Sequence, residues 1–212
     1  MRPWLIGLAV ASLAVAPAED AFAQGTDVGI SGVGLVSVQP IDNSYVGAPY
    51  LSEGIGGVGP GFGAGVSVVF STGLVVAAEY STARYELEQS GRLVSGEGRV
   101  VTTRLHDSFL SGLLGYTTAA GPTRIQVLGG VGAKLDVPTI DGEEIALDDS
   151  LKDEGLPFTL TAGADLLQRL SARASLVVGA RYSYVGRHER LEYLGIGSHV
   201  LRAGAGVRVR IN

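Results

Sequence analysis

The sequence predicts an all-β protein: an eight-stranded antiparallel up-and-down transmembrane β-barrel preceded by a signal peptide. Three observations lead there. Two-residue alternation dominates the chain after its first two dozen residues. The connections between alternating segments are long and short by turns, and the face opposite the apolar one is built from Gly, Ser and isolated charges. Composition agrees. Of 212 residues 32 are Gly and only 17% are charged, against roughly 7% Gly and 25% charge in an ordinary soluble domain. So much Gly disfavours long helices. The lack of Cys excludes a disulfide framework and thiolate metal sites. A net charge of −5 argues against a nucleic-acid partner, which would normally show a basic patch.

The first element is an address. Arg2 supplies a positive end, Trp4 to Val15 is apolar, and Ala21-Phe22-Ala23 fits a small-x-small cleavage site. The apolar run is too short to span a bilayer as a helix. Residues 1–23 are therefore expected to be removed, leaving 24–212 as one barrel domain that begins at Gln24.

The strands follow in order. Residues 28–38 are apolar and Gly-rich on both faces, so their facing stays open. Segment 58–70 sets Phe62, Ala64, Val66, Val68 and Phe70 against Gly61, Gly63, Gly65 and Ser67. Segment 74–86 sets Leu74, Val76, Ala78 and Tyr80 against Val75, Ala77, Glu79 and Ser81. In 100–116, Arg104, His106 and Ser108 share a face with Leu110, Leu114 and Tyr116, which leaves the facing unassigned and admits a bulge. Segment 123–137 sets Ile125, Val127, Val131 and Leu135 against Arg124, Gln126, Leu128, Gly130, Gly132 and Lys134. Segments 156–166 and 173–185 carry Phe158, Leu160, Leu166, Leu176, Val178, Tyr182 and Tyr184 on one face, with Thr161, Gly163, Asp165, Gly179 and Arg181 on the other. The last segment sets Leu201, Val207, Val209 and Ile211 against Arg202, Gly204, Gly206, Arg208 and Arg210. Such a period puts one set of side chains on each side of a sheet.

The connections 39–57, 87–98, 138–155 and 186–197 are long, while 71–73, 117–122 and 168–172 are short. Transmembrane barrels have this rhythm, with short turns at one end and longer loops at the other. A soluble barrel would turn its polar face to water and load it with Lys, Glu and Thr. The Gly- and Ser-rich face here suits a narrow interior, where the few long charged groups must pair. Glu79, Arg104, Asp165, Arg181 and Arg202 are the candidates for such interior ion pairs. Phe62, Tyr80, Phe158, Tyr182 and Tyr184 fall toward the long-loop end, and Phe70 and Tyr116 near the short turns, in keeping with two interfacial aromatic belts.

Gly163-Ala-Asp165, the turn Gln168-Arg-Leu-Ser171, Val178-Gly-Ala-Arg-Tyr-Ser-Tyr184 and Leu201-Arg-Ala-Gly-Ala-Gly-Val-Arg208 resemble the small eight-stranded outer-membrane barrels of Gram-negative bacteria. These comprise the OmpA-type transmembrane domain, the OmpX/Ail group and the opacity-protein group. The resemblance is best over about 156–211. It implies export to the outer membrane, contact with outer-membrane lipids and lipopolysaccharide, insertion by the outer-membrane assembly machinery, and a host or matrix surface as partner. It implies no cofactor and no metal. The chain departs from the pattern at its end, where Ile211 and Asn212 stand in place of a terminal aromatic residue. It also ends without the peptidoglycan-binding domain of OmpA-like proteins, so cell-wall anchoring is not expected.

Candidate chemistry is sparse. Asp141, Glu143, Glu144, Asp148 and Asp149 form an acidic stretch that hard cations would favour, although it lacks the EF-hand spacing and reads better as a solvated loop. His106 and Ser108 lie two apart on one strand face, the pairing a barrel-borne lipid A deacylase uses, but their neighbours do not match that family. His188 and His199 are scattered, and no Gly-rich run sits at a strand-to-helix junction, so nucleotide binding is rejected. The expected function is structural or surface-interactive, through the four long connections and without catalysis. A small channel for little solutes is the alternative, and a lipid A-modifying barrel the third.

Overall fold

A computed structural model describes residues 26–39, 53–54, 57–92, 98–135, 139–140, 143–144, 155–186 and 198–211. Eight long strands form the wall: β1 Asp27–Gln39, β2 Gly57–Val69, β3 Leu74–Arg92, β4 Gly98–Ala120, β5 Thr123–Lys134, β6 Phe158–Arg169, β7 Ala174–Val185 and β8 His199–Arg210. Each pairs antiparallel with its sequence neighbour, and β1 pairs with β8, so the sheet closes on itself. Closure leaves no free edge in the wall. Three two-residue strands extend the same sheet: Glu53–Gly54 pairs with β3, Thr139–Ile140 with β4, and Glu143–Glu144 with Thr139–Ile140.

The short connections are tight because their residues suit tight turns. Gly73 takes φ 87° between β2 and β3, and its N–H donates to Phe70 O at 2.9 Å. Gly121 takes φ 63° in the two-residue turn Gly121-Pro122, a conformation that costs most side chains. In the third turn, Ser171 Oγ accepts the Ala174 N–H at 3.0 Å.

Facing follows the alternation. Val58, Phe62, Leu110, Leu114, Val127, Phe158, Val178 and Leu201 stand exposed on the outside, whereas Ser81, Asp107, Gln126, Lys134, Thr161, Asp165, Arg202 and Arg208 are buried within. This is a water-soluble barrel turned inside out, and such a wall is stable only against acyl chains. At ~3.3 Å per residue, a 12-residue strand such as β7 runs about 40 Å, and its tilt brings the height close to the ~25 Å apolar band of membrane barrels. The aromatic residues Phe62, Tyr80, Phe158, Tyr182 and Tyr184 are exposed toward the long-loop end, and Phe70 and Tyr116 near the short turns.

The structure resolves two facings and moves two boundaries. On β1 the odd-numbered residues from Asp27 to Gln39 face inward. Along β3 and β4 the register runs unbroken from Leu74↔Tyr116 to Arg92↔Gly98, so the bulge admitted for 100–116 is absent from this pairing. The long open connection expected over 87–98 is corrected as well, since β3 continues to Arg92 and β4 starts at Gly98. Beyond the acyl layer neither face need be apolar, so backbone pairing persists after the alternation fades. The leader 1–23 and most of 39–57, 138–155 and 186–197 fall outside the described residues.

Candidate functional site

The candidate site is the bore. Its middle is organised by Arg181 on β7, which binds Glu79 of β3 and Asp165 of β6 together. Arg181 Nη2 and Nε donate to Glu79 Oε1 and Oε2 at 2.5 and 3.0 Å, and Nη1 and Nη2 donate to Asp165 Oδ1 and Oδ2 at 2.6 and 2.7 Å. The planar guanidinium fork matches two carboxylates in this way. Glycines make the room. A Cβ on Gly179 would lie 2.0 Å from Asp165 Oδ1, and one on Gly163 would lie 2.6 Å from Arg181 Cδ.

Arg202 of β8 behaves differently from the expectation of a carboxylate partner. Its Nη1 bonds Ser81 Oγ, its Nη2 donates to Ser183 Oγ at 2.5 Å, and its guanidinium carbon lies 4.3 Å from the centroid of the Phe109 ring. Hydroxyl dipoles and a π face hold this cation. Lys134 also reaches Phe109, with Nζ 5.4 Å from the ring, and forms an ion pair with Asp107; both side chains are 2% exposed. Along this stretch Glu79, Asp165 and Asp107 thus face Arg181, Arg202 and Lys134, and the charges cancel. A buried apolar cluster of Val69, Val75, Ala77, Leu113 and Leu128 adds a dry segment. The cavity beside Arg181 measures about 80 Å³, room for a few waters at ~30 Å³ each.

The side chain of Arg104 lies outside the described residues. The register places this residue opposite Glu86 and Thr139, on the row of His106 and Ser108, whereas the bore row of β4 is Asp107, Phe109, Ser111 and Leu113. Sequence reasoning in turn missed Asp107, Phe109 and Lys134. The available signal was Lys134, one of only two lysines in the chain, standing on a Gly row.

At the short-turn end, Asp27 accepts bonds from Arg208 Nη2 at 2.8 Å, Arg210 Nη2 at 2.8 Å and Arg124 Nη1 at 3.3 Å. On the outer wall, Thr82 Oγ1 sits 2.9 Å from His106 Nε2 and accepts from Ser108 Oγ at 3.1 Å, while Tyr80 OH donates to Ser108 Oγ at 3.3 Å. Thr82 therefore stands between His106 and Ser108, and Ser108 is buried. His199 is exposed on the same wall, its Nδ1 2.5 Å from Tyr182 OH. Asp141, Asp148, Asp149 and the side chains of Glu143 and Glu144 lie outside the described residues, as does His188. Among the described residues no group of three His, Asp or Glu side chains could hold a metal ion.

No protein-family model matches the chain, and neither does any curated protein. Solved structures do. Neisserial surface protein A is similar over 88% of this chain and 99% of its own, with a TM-score of 0.59 and 13% identity. The outer membrane protein OprG from Pseudomonas aeruginosa is similar over 89% of this chain and 97% of its own, with a TM-score of 0.55 and 14% identity. The chain has the fold of the small outer-membrane β-barrels. The likeness noted in 156–211 extends through nearly the whole molecule.

Proposed function

We propose that this protein resides in the outer membrane as a non-conducting barrel, exported with cleavage after Ala23. Its role is structural or surface-interactive, carried by the connections 39–57, 138–155 and 186–197 and by the extended hairpin of β3 and β4, on a rigid support. Binding residues concentrate on loops held by such scaffolds. Its surroundings are outer-membrane lipids and lipopolysaccharide, the assembly machinery inserts it, and a host or matrix surface is the partner of the outer connections.

The observation that carries this reading is the filled bore. Three cations and three carboxylates neutralise one another across it, and an apolar cluster lies in the same interior. An ion passing through would have to displace desolvated pairs, at a cost of several kcal/mol per charge. Catalysis is not part of the proposal, because Thr82 lies between His106 and the buried Ser108.

The test is conductance. Refolded protein that shows heat-modifiable gel mobility is placed in planar bilayers, and no unitary current is expected. Steady single-channel steps from the wild-type protein would sink the closed-bore reading. Mass spectrometry of the exported protein is expected to find Gln24 at the N-terminus.

A further inference from the structure

We infer that the short-turn mouth of the bore binds a soluble ligand bearing a phosphoryl dianion; its periplasmic placement rests on the outer-membrane reading above. The mouth inverts the charge balance found deeper in. The carboxylate of Asp27 is shared by Arg124, Arg208 and Arg210 at 3.3, 2.8 and 2.8 Å. Arg169 and Arg173, both exposed, line the same cavity from the 170–173 turn and its flank. Asp27 is the sole acidic residue lining it among the described residues, so five guanidinium groups meet one carboxylate.

That excess is arranged. Asp27 draws three arginines from β5 and β8 to one point, and Arg208 Nε is further fixed by Ser67 Oγ at 3.0 Å. Gly29 leaves the space, since a Cβ there would fall 2.4 Å from Arg208 Cζ. A single carboxylate orients these groups without neutralising them. Guanidinium forks held in place are suited to bidentate binding of phosphoryl oxygens, and a dianion offsets more of the excess than a monoanion. The cavity, about 60 Å³, has the volume of about two waters, enough to seat one phosphoryl group with the rest of the ligand in solvent. Arg124, Arg208 and Arg210 lie on inward rows, away from the lipid. A solute therefore reaches them more directly than the headgroup of a lipid outside the wall.

The test uses the barrel in phosphatidylcholine nanodiscs, with inorganic pyrophosphate as probe in titration calorimetry. Saturable one-to-one binding is expected, weakening as salt is added. Arg169→Ala with Arg173→Ala, at exposed positions that leave the Asp27 bonds in place, is expected to weaken it about tenfold or more. Arg84→Ala, exposed at the opposite end, is expected to leave it unchanged. Absence of saturable binding, or equal binding by the double variant, overturns the inference. So does an oligo-glutamate peptide that binds more tightly than pyrophosphate. Loss of pyrophosphate affinity in nanodiscs containing phosphatidylglycerol reassigns the phosphoryl group to a lipid and overturns the soluble ligand. A preparation that shifts in the gel, carries no current and binds no pyrophosphate discards this inference alone. One without the gel shift takes the underlying reading with it.

Discussion

Two clusters in one bore obey opposite rules. In the middle one arginine serves two carboxylates, and the neighbouring Arg202, Lys134 and Asp107 bring the count to three against three. At the mouth one carboxylate serves three arginines. The difference is access to water. Where Lys134 and Asp107 keep 2% of their side-chain surface, and Arg181 and Asp165 13% and 10%, an uncompensated charge costs several kcal/mol, so the balance is strict even though Glu79 keeps 28%. Where Arg124 and Arg210 keep 26% and 34% of their side-chain surface, solvent screens the excess and the balance can be broken.

The strongest way to break this comparison is Arg181→Leu. It leaves Glu79 and Asp165 facing each other in the bore, and a loss of about 3–5 kcal/mol is expected from urea unfolding in micelles followed by gel mobility. Adding Glu79→Gln and Asp165→Asn should return much of it; a single variant as stable as wild type would end the argument from pairing. Next comes Lys134→Met, which strands the carboxylate of Asp107. A loss of about 3 kcal/mol is expected by the same assay, and largely undone when Asp107→Leu is combined with it. Gly29→Leu is smaller, since it drives Arg208 from its place against the β1 backbone, at about 1–3 kcal/mol. The least effect belongs to Asp27→Asn, about 1 kcal/mol at low salt. That loss should shrink as salt is raised, because three guanidinium groups then repel one another less. Salt should do little for Arg181→Leu, and equal salt rescue of both variants would contradict the contrast.

The barrel was legible because lipid demands an apolar row on every strand, and segments such as 58–70 and 123–137 carry that row openly. Charged residues on the opposite row of β3, β6 and β7 pointed to interior pairing. Their partnerships were not legible. Arg181 reaches Glu79 across 102 residues of sequence, and nothing local distinguishes it from Arg202, which turns to Ser81, Ser183 and Phe109 instead. Leu128 stood on the inward row of 123–137, but Leu113 was hidden for another reason. An apolar side chain inside the bore looks the same in sequence as one in the wall, and only the register separates Leu113 from Leu114.

The prolonged hairpin of β3 and β4 has a consequence of its own. Its 19- and 23-residue strands overshoot the 12-residue ones by about seven or more positions, a ribbon of roughly 23 Å or longer. A closed cylinder has no selvedge, but this ribbon recreates two. Glu53–Gly54 hems the β3 side and Thr139–Ile140 the β4 side. Segments from three separate connections are thereby stitched into one small sheet, so whatever touches this crown meets a woven panel and not independent tethers.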